Sequence, residues 1–334
     1  MPNPFRKRAT AISVGIGAGL AGAAVLVLRY AFRPIPRVPI PDSISPAIFA
    51  TRVARSSLGQ FVYHESGTGA PIIFLHGINI GASSYEWSKV YPEFATNYRV
   101  LAPDLLGFGE SERASVQLTA EDHARSLAEF IQITCERRRP IIVASNISAG
   151  FCVLLASHHP DLIERLILLM PTGLTEFGKR RVPLWLSLTP RLPAIARPIY
   201  RKALATRQAI TSWLQKDGFR DPSKVQEEHI ALHHTCANQS GAHYSIFALL
   251  RDRYHFEFQE RFASLAVPVS LLWSDSCEAA PLEWAYRLMS GAPRNTTLTV
   301  IKNASLLAAL EEPGQTIEAI AGQLEPALRV LSPA

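Results

Sequence analysis

Cysteine is scarce in this sequence: Cys135, Cys152, Cys236 and Cys277 are the only four in 334 residues. They stand far apart, with no C-x-x-C spacing and no Cys/His cluster, so neither a zinc module nor a disulfide framework is expected. They read as buried free thiols. Histidine stops early, with none beyond His255, so no imidazole can come from the C-terminal part of the chain. Acidic residues are missing from Phe177 to Lys216, and charge of either sign is missing from Ala9 to Leu28. The net charge of +6 and a pI near 9.2 suit an anionic partner. A nucleic-acid module is absent, however, as are base-stacking aromatics along a basic groove, and no nucleic acid is expected.

What is present begins with that uncharged run. Twenty residues at 1.5 Å rise each match a hydrocarbon core of ~30 Å, so residues 1–33 read as a single-pass transmembrane anchor with membrane localisation. The rival is a cleaved signal peptide, for which Ala21-Gly22-Ala23 could serve as the cleavage site. Gly15-x-x-x-Gly19 and Ala18-x-x-x-Gly22 offer a small-residue face through which two copies could pair. Arg6, Lys7 and Arg8 on one side face Arg29, Arg33 and Arg37 on the other, which leaves the orientation open. Pro34, Pro36, Pro39, Pro41 and Pro46 make residues 34–50 a semi-rigid linker.

Beyond it, short apolar runs alternate with helical patterns. Phe61–His64, Ile72–His76, Val100–Asp104, Ile141–Ser145, Leu166–Met170, Val269–Trp273 and Leu298–Ile301 read as strands. Thr119 to Arg137 reads as a helix opened by a capping-box-like Thr119-x-x-Asp122. Alternation of this kind predicts an α/β fold with a mostly parallel, doubly wound sheet. The core is expected at 51–175 and 263–334, with a basic helical insertion at 176–262.

The strand-to-turn segments are "FLHGINIGASSYEW" (Phe74–Trp87), "APDLLGFGESER" (Ala102–Arg113), "VASNISAG" (Val143–Gly150), "HPDLIERLILLMPTG" (His159–Gly173) and "VPVSLLWSD" (Val267–Asp275). In this order they resemble the successive landmarks of α/β-hydrolase-fold proteins, over residues 57 to 330. The resemblance implies a nucleophile on a sharp strand-to-helix turn, an acid after a late strand, a base after the last strand, and two backbone N–H donors for an oxyanion. On these positions the triad is degenerate.

The turn needs small residues on both sides of its nucleophile, and Ala144 and Ser148 supply them around Asn146, whose amide is a poor nucleophile. A register shifted by two residues leaves Ser148 as the alternative nucleophile. Cys277 falls at the acid position and Leu306 at the base position. The oxyanion side survives as His76, Gly77, Ile78 and Ile147, able to hold a ligand carbonyl. His229, His233 and His234 lie at helical spacing without a third metal ligand and read as a helix face. His243 and His255 lie in the same insertion, where an unconventional base would have to originate. No metal or cofactor is expected.

The acid-free stretch within the insertion carries nine cations: Lys179, Arg180, Arg181, Arg191, Arg197, Arg201, Lys202, Arg207 and Lys216. Trp185, Leu186, Ile195, Tyr200 and Trp213 are interleaved, a composition suited to anionic headgroups at a lipid membrane. The expectation is a membrane-anchored pseudoenzyme of this fold that binds a hydrophobic or acyl-type small molecule, or a protein partner. The alternative is an active ester or lipid hydrolase using Ser148.

Overall fold

The computed structural model describes residues 49–113, 116–171 and 193–329. The expected anchor and linker up to residue 48, and Lys179, Arg180, Arg181, Trp185 and Arg191 of the insertion, lie outside the described residues. Among the described residues no helix is long and apolar enough to cross a membrane.

Eight strands form one sheet: β1 (Ala50–Ser56), β2 (Gly59–Ser66), β3 (Ala70–Leu75), β4 (Tyr98–Pro103), β5 (Ile141–Ser145), β6 (Arg165–Leu169), β7 (Val269–Ser274) and β8 (Thr296–Ile301). Their order is β1-β2-β4-β3-β5-β6-β7-β8. The first two pairings are antiparallel, and every pairing from β4 to β8 is parallel. Continuous apolar runs make the central strands: all five residues of β5 are buried, as are five of the six in β3. That is the signature of a parallel sheet covered on both faces.

The helices are α1 (Ala120–Thr134), α2 (Asn146–His158), α3 (Pro193–Ile199), α4 (Arg207–Trp213), α5 (Glu227–Ala237), α6 (Ala242–Leu250), α7 (Phe258–Ala263), α8 (Leu282–Ser290), α9 (Ala308–Glu311) and α10 (Pro313–Arg329). The expected capping box is formed, with the Thr119 side chain accepting from the Asp122 N–H and Asp122 accepting from the Thr119 N–H. The helix stops at Cys135, and Glu136 and Arg137 follow with positive φ. The described part of the insertion, α3 to α7, is helical.

Strand order places the site. From β3 the chain crosses to β4 on one side and later to β5 on the other, so the sheet reverses its winding between β3 and β5. Right-handed crossovers then leave a crevice at the carboxyl ends of these two strands. Leu75 pairs with Ala144 across that junction, which brings His76-Gly77 beside Ser145-Asn146.

Candidate active site

Asn146 follows β5 with a φ of 52°, and Ser145 before it is extended with φ −114°. The left-handed residue of the strand-to-helix turn is therefore Asn146. Ser148 lies inside the first turn of α2, fully buried, its hydroxyl donating to the Ser145 carbonyl at 2.7 Å. Gly77 permits the approach of the two strand ends, since a β-carbon on it would sit 2.7 Å from Asn146 Nδ2 and 3.1 Å from Ser145 Oγ.

His76 is completely buried and holds two loops together. Its Nε2 accepts the Leu105 N–H at 3.0 Å, which places the ring proton on Nδ1, and Nδ1 donates to the Gly77 carbonyl at 2.7 Å. Burial lowers its pKa, against the opposing pull of Asp104 and the Gly77 carbonyl. A neutral, fully engaged imidazole of this kind is a brace. Asp104 accepts the N–H groups of Ser84 and Glu110, both at 2.6 Å, and shapes the turn where Gly107 and Gly109 adopt positive φ.

Glu86 is the residue that sequence reasoning missed. It is 4% exposed, accepts the Gly77 N–H at 2.7 Å, and takes the Ser145 hydroxyl on its other oxygen. Burial pushes its pKa up to about 7, although the hydrogen bonds from Ser145 and Gly77 pull the other way. A proton-holding carboxyl thus lies directly behind the turn. The available signal was that Glu86 is the sole acidic residue from Phe74 to Trp87, in a segment whose neighbours are core.

The acid and base positions are also brought together. Cys277 is buried, its pKa raised by desolvation, and its Sγ lies 3.5 Å from the hydroxyl of Ser305, next to Leu306. Leu306 is partly buried against the core, whereas its neighbour Leu307 is fully buried. Asp275 accepts from Ser276 and from the Asn303 N–H, capping its loop.

This C-terminal loop is stitched to the lid. The Leu307 N–H donates to the Gly218 carbonyl at 2.9 Å and the Ser305 hydroxyl to the Asp217 carbonyl at 2.7 Å. Glu311, 5% exposed, accepts three backbone N–H groups: Arg220 at 2.9 Å, Asp221 at 2.8 Å and Ser305 at 2.8 Å. Lys224 and Glu312 add an ion pair. The segment that would carry a mobile base is held as a seam between lid and core.

Other histidines are structural in their surroundings. His123 on α1 stacks on Phe151 at 4.6 Å and meets Tyr254 edge-on at 5.4 Å, and burial takes its pKa down to about 3. His229 and His233 are buried on α5, and His243 is half-buried on α6. No group of three metal-ligating side chains occurs among the described residues. Arg197 is partly buried on α3 and faces His243.

Ile78, which follows Gly77, and Ile147, in the first turn of α2, are both buried, and the N–H of a first-turn residue has no intrahelical acceptor. An amide stands at the left-handed position of the turn, between the Ser145 hydroxyl on Glu86 and the Ser148 hydroxyl on the Ser145 carbonyl, and the sequence has no histidine beyond His255.

Comparison with known proteins agrees with this geometry. The profile of the α/β hydrolase fold family matches residues 70–204. Over 117 residues the chain is 35% identical to a 2-hydroxymuconate semialdehyde hydrolase of Pseudomonas sp. (strain CF600), covering 34% of this chain. The match spans 40% of that relative's length. Among solved structures, a serine hydrolase involved in carbazole degradation (CarC enzyme) superimposes with a TM-score of 0.69 at 22% identity, over 83% of this chain and 99% of the other. A membrane phospholipase A described as a bacterial virulence factor superimposes equally well, at 0.69 and 18% identity, over 97% of this chain and 99% of the other. Sheet order, family profile and structural neighbours converge: the chain has the α/β hydrolase fold, and its residues 70–204 match that family's profile.

Proposed function

We propose that this chain is a membrane-tethered, non-hydrolytic member of its family that holds a hydrophobic, acyl-bearing small molecule beneath its lid. The observation that carries the reading is the amide of Asn146 at the left-handed position of the turn. An amide cannot be deprotonated to attack a carbonyl, and its nitrogen lone pair is delocalised. The absence of any histidine after His255 removes the base in the usual chain order. Without nucleophile and base, the Ile78 and Ile147 donors act as a binding element: the charge stabilisation that serves a transition state in an enzyme serves a ground-state carbonyl here. The uncharged run from Ala9 to Leu28 and the acid-free stretch from Phe177 to Lys216 support attachment to an anionic membrane.

A second reading, ester hydrolysis through Ser148, is favoured by the names of the relatives. Against it stands the Ser148 hydroxyl, buried and already donating to the helix backbone. The two readings separate by incubating the full-length chain with a fluorophosphonate probe and short acyl esters. The binder predicts no covalent labelling and no turnover. Labelling that disappears in Ser148→Ala would overturn it.

A further inference from the structure

Helix α5 turns His229 and His233, one turn apart, toward the core, at 1% and 5% exposure. The His229 ring stacks on Phe219 at 5.0 Å and lies 6.1 Å from Tyr85. Its Nδ1 accepts the Gln226 N–H at 3.1 Å, which leaves the proton of the neutral ring on Nε2. That Nε2 is buried and has no partner among the described residues. His233 Nδ1 donates to the His229 carbonyl at 2.8 Å, and its ring lies 6.1 Å from Trp213. The backbone fits tightly at this point, because a β-carbon on Gly81 would come within 2.0 Å of the His233 carbonyl oxygen.

Of the charged and titratable groups around these rings, Lys89 is a cation, while Tyr85 and His76 are neutral. The core presents Lys89 and Tyr85 near His229 and His76 near His233. The preceding lid segment presents Trp213 and Phe219, with Arg207 beside the neighbouring His234. On α5 itself Glu227 pairs with Arg207, and Glu228 acts on Tyr85. No carboxylate among the described residues acts on either ring.

We propose that α5 is a proton-operated part of the lid: protonation of His229 and His233 lifts this helix from the core segment around Gly81 and Tyr85 on which it packs. The proposal rests on the reading that a ligand lies under the lid, since it supplies the regulation of that same pocket. A buried imidazolium without a counter-charge is strongly disfavoured, whereas in an opened lid the same rings meet water and titrate near their ordinary value. Burial lowers both folded pKa values to about 4, assisted by Lys89 for His229 and opposed by the hydrogen bond to the His229 carbonyl for His233. Closure is therefore fully stable above about pH 6.5 and is lost as pH falls toward about 4. With two protons taken up on opening, the opening constant rises about 100-fold per pH unit across that window. The seam formed by Ser305, Leu307 and Glu311 contains no histidine, so it remains as the hinge.

Hydrogen exchange on the ligand-free, full-length chain in mild non-ionic detergent tests this, with the intrinsic pH dependence of exchange divided out. Between about pH 6 and about pH 4.5, α5 amides should open with the 100-fold slope while β5 and β6 amides stay protected. His229→Gln and His233→Asn should each reduce the slope to about tenfold per unit, and the pair should flatten it. An α5 that opens no faster than β5, or a slope unchanged in the double variant, overturns the proposal. Should the double variant fail to fold, the comparison of α5 with β5 in the unaltered chain still decides. No ligand takes part, so failure of the binding reading in the labelling experiment leaves this result independent.

Discussion

Replacing Glu86 by Gln isolates one proton behind the turn. Glu86 is almost completely buried, and its pKa is raised from 4.5 to about 7 by desolvation. The folded chain thus binds this proton more tightly than the unfolded one. The stability it contributes is whole below about pH 4.5 and drains away as pH rises through about 7. The difference between the two limits is about 3 kcal/mol. For a domain of this size that corresponds to a Tm change of roughly 6–10 °C. Glutamine is close in shape to the protonated acid: its carbonyl can accept the Gly77 N–H, and its amide can face Ser145 Oγ. Thermal denaturation of both proteins at about pH 5 and about pH 8 provides the assay. Titration of other groups, including the lid histidines, cancels in the difference between the two proteins. The variant should gain about 2.5 kcal/mol on the unaltered chain between the lower and the higher pH. Parallel pH profiles would refute the placement of a neutral carboxyl at this position.

Three further outcomes follow from the geometry. Glu311→Ala strips the acceptor from the N–H groups of Arg220, Asp221 and Ser305, and should cost about 3–5 kcal/mol of stability in denaturant titration. Gly81→Ala places a β-carbon against the His233 carbonyl at a residue with φ of 81°; it should increase exchange of α5 amides at neutral pH while sparing β5. Phe151→Ala removes the fully buried ring stacked on His123 and should cost about 3–5 kcal/mol by calorimetry or chemical denaturation.

Six parallel strands and β2 were legible because each is a short apolar run bounded by turn residues. β1 was not. It forms the outer edge of the sheet, has only Ala54 and Ser56 buried, and carries Arg52 and Arg55, so it has no apolar run to read and begins where the Pro-rich linker was expected to end. The turn residue was readable from the small flanks Ala144 and Ser148, because tight packing constrains residue size. Glu86, the brace at His76 and the seam at Glu311 were not readable. Apart from the Ser145 hydroxyl on Glu86, their partners are backbone N–H and carbonyl groups, up to about ninety residues away, and such groups leave no trace in side-chain identity.

The left-handed backbone at position 146 bears on what a sharp turn in this fold signifies. Asparagine is one of the few residues with a β-carbon that settles readily in that conformation, where most others are strained by about 1–2 kcal/mol. A nucleophile held there needs the surrounding fold to enforce its strain, and natural selection for catalysis maintains it. Asn146 needs no such enforcement, because the sharp turn is close to its own preference. Selection for folding alone is therefore enough to preserve the turn, and the survival of a nucleophile-shaped elbow in a sequence of this fold is no measure of whether a reaction still takes place on it.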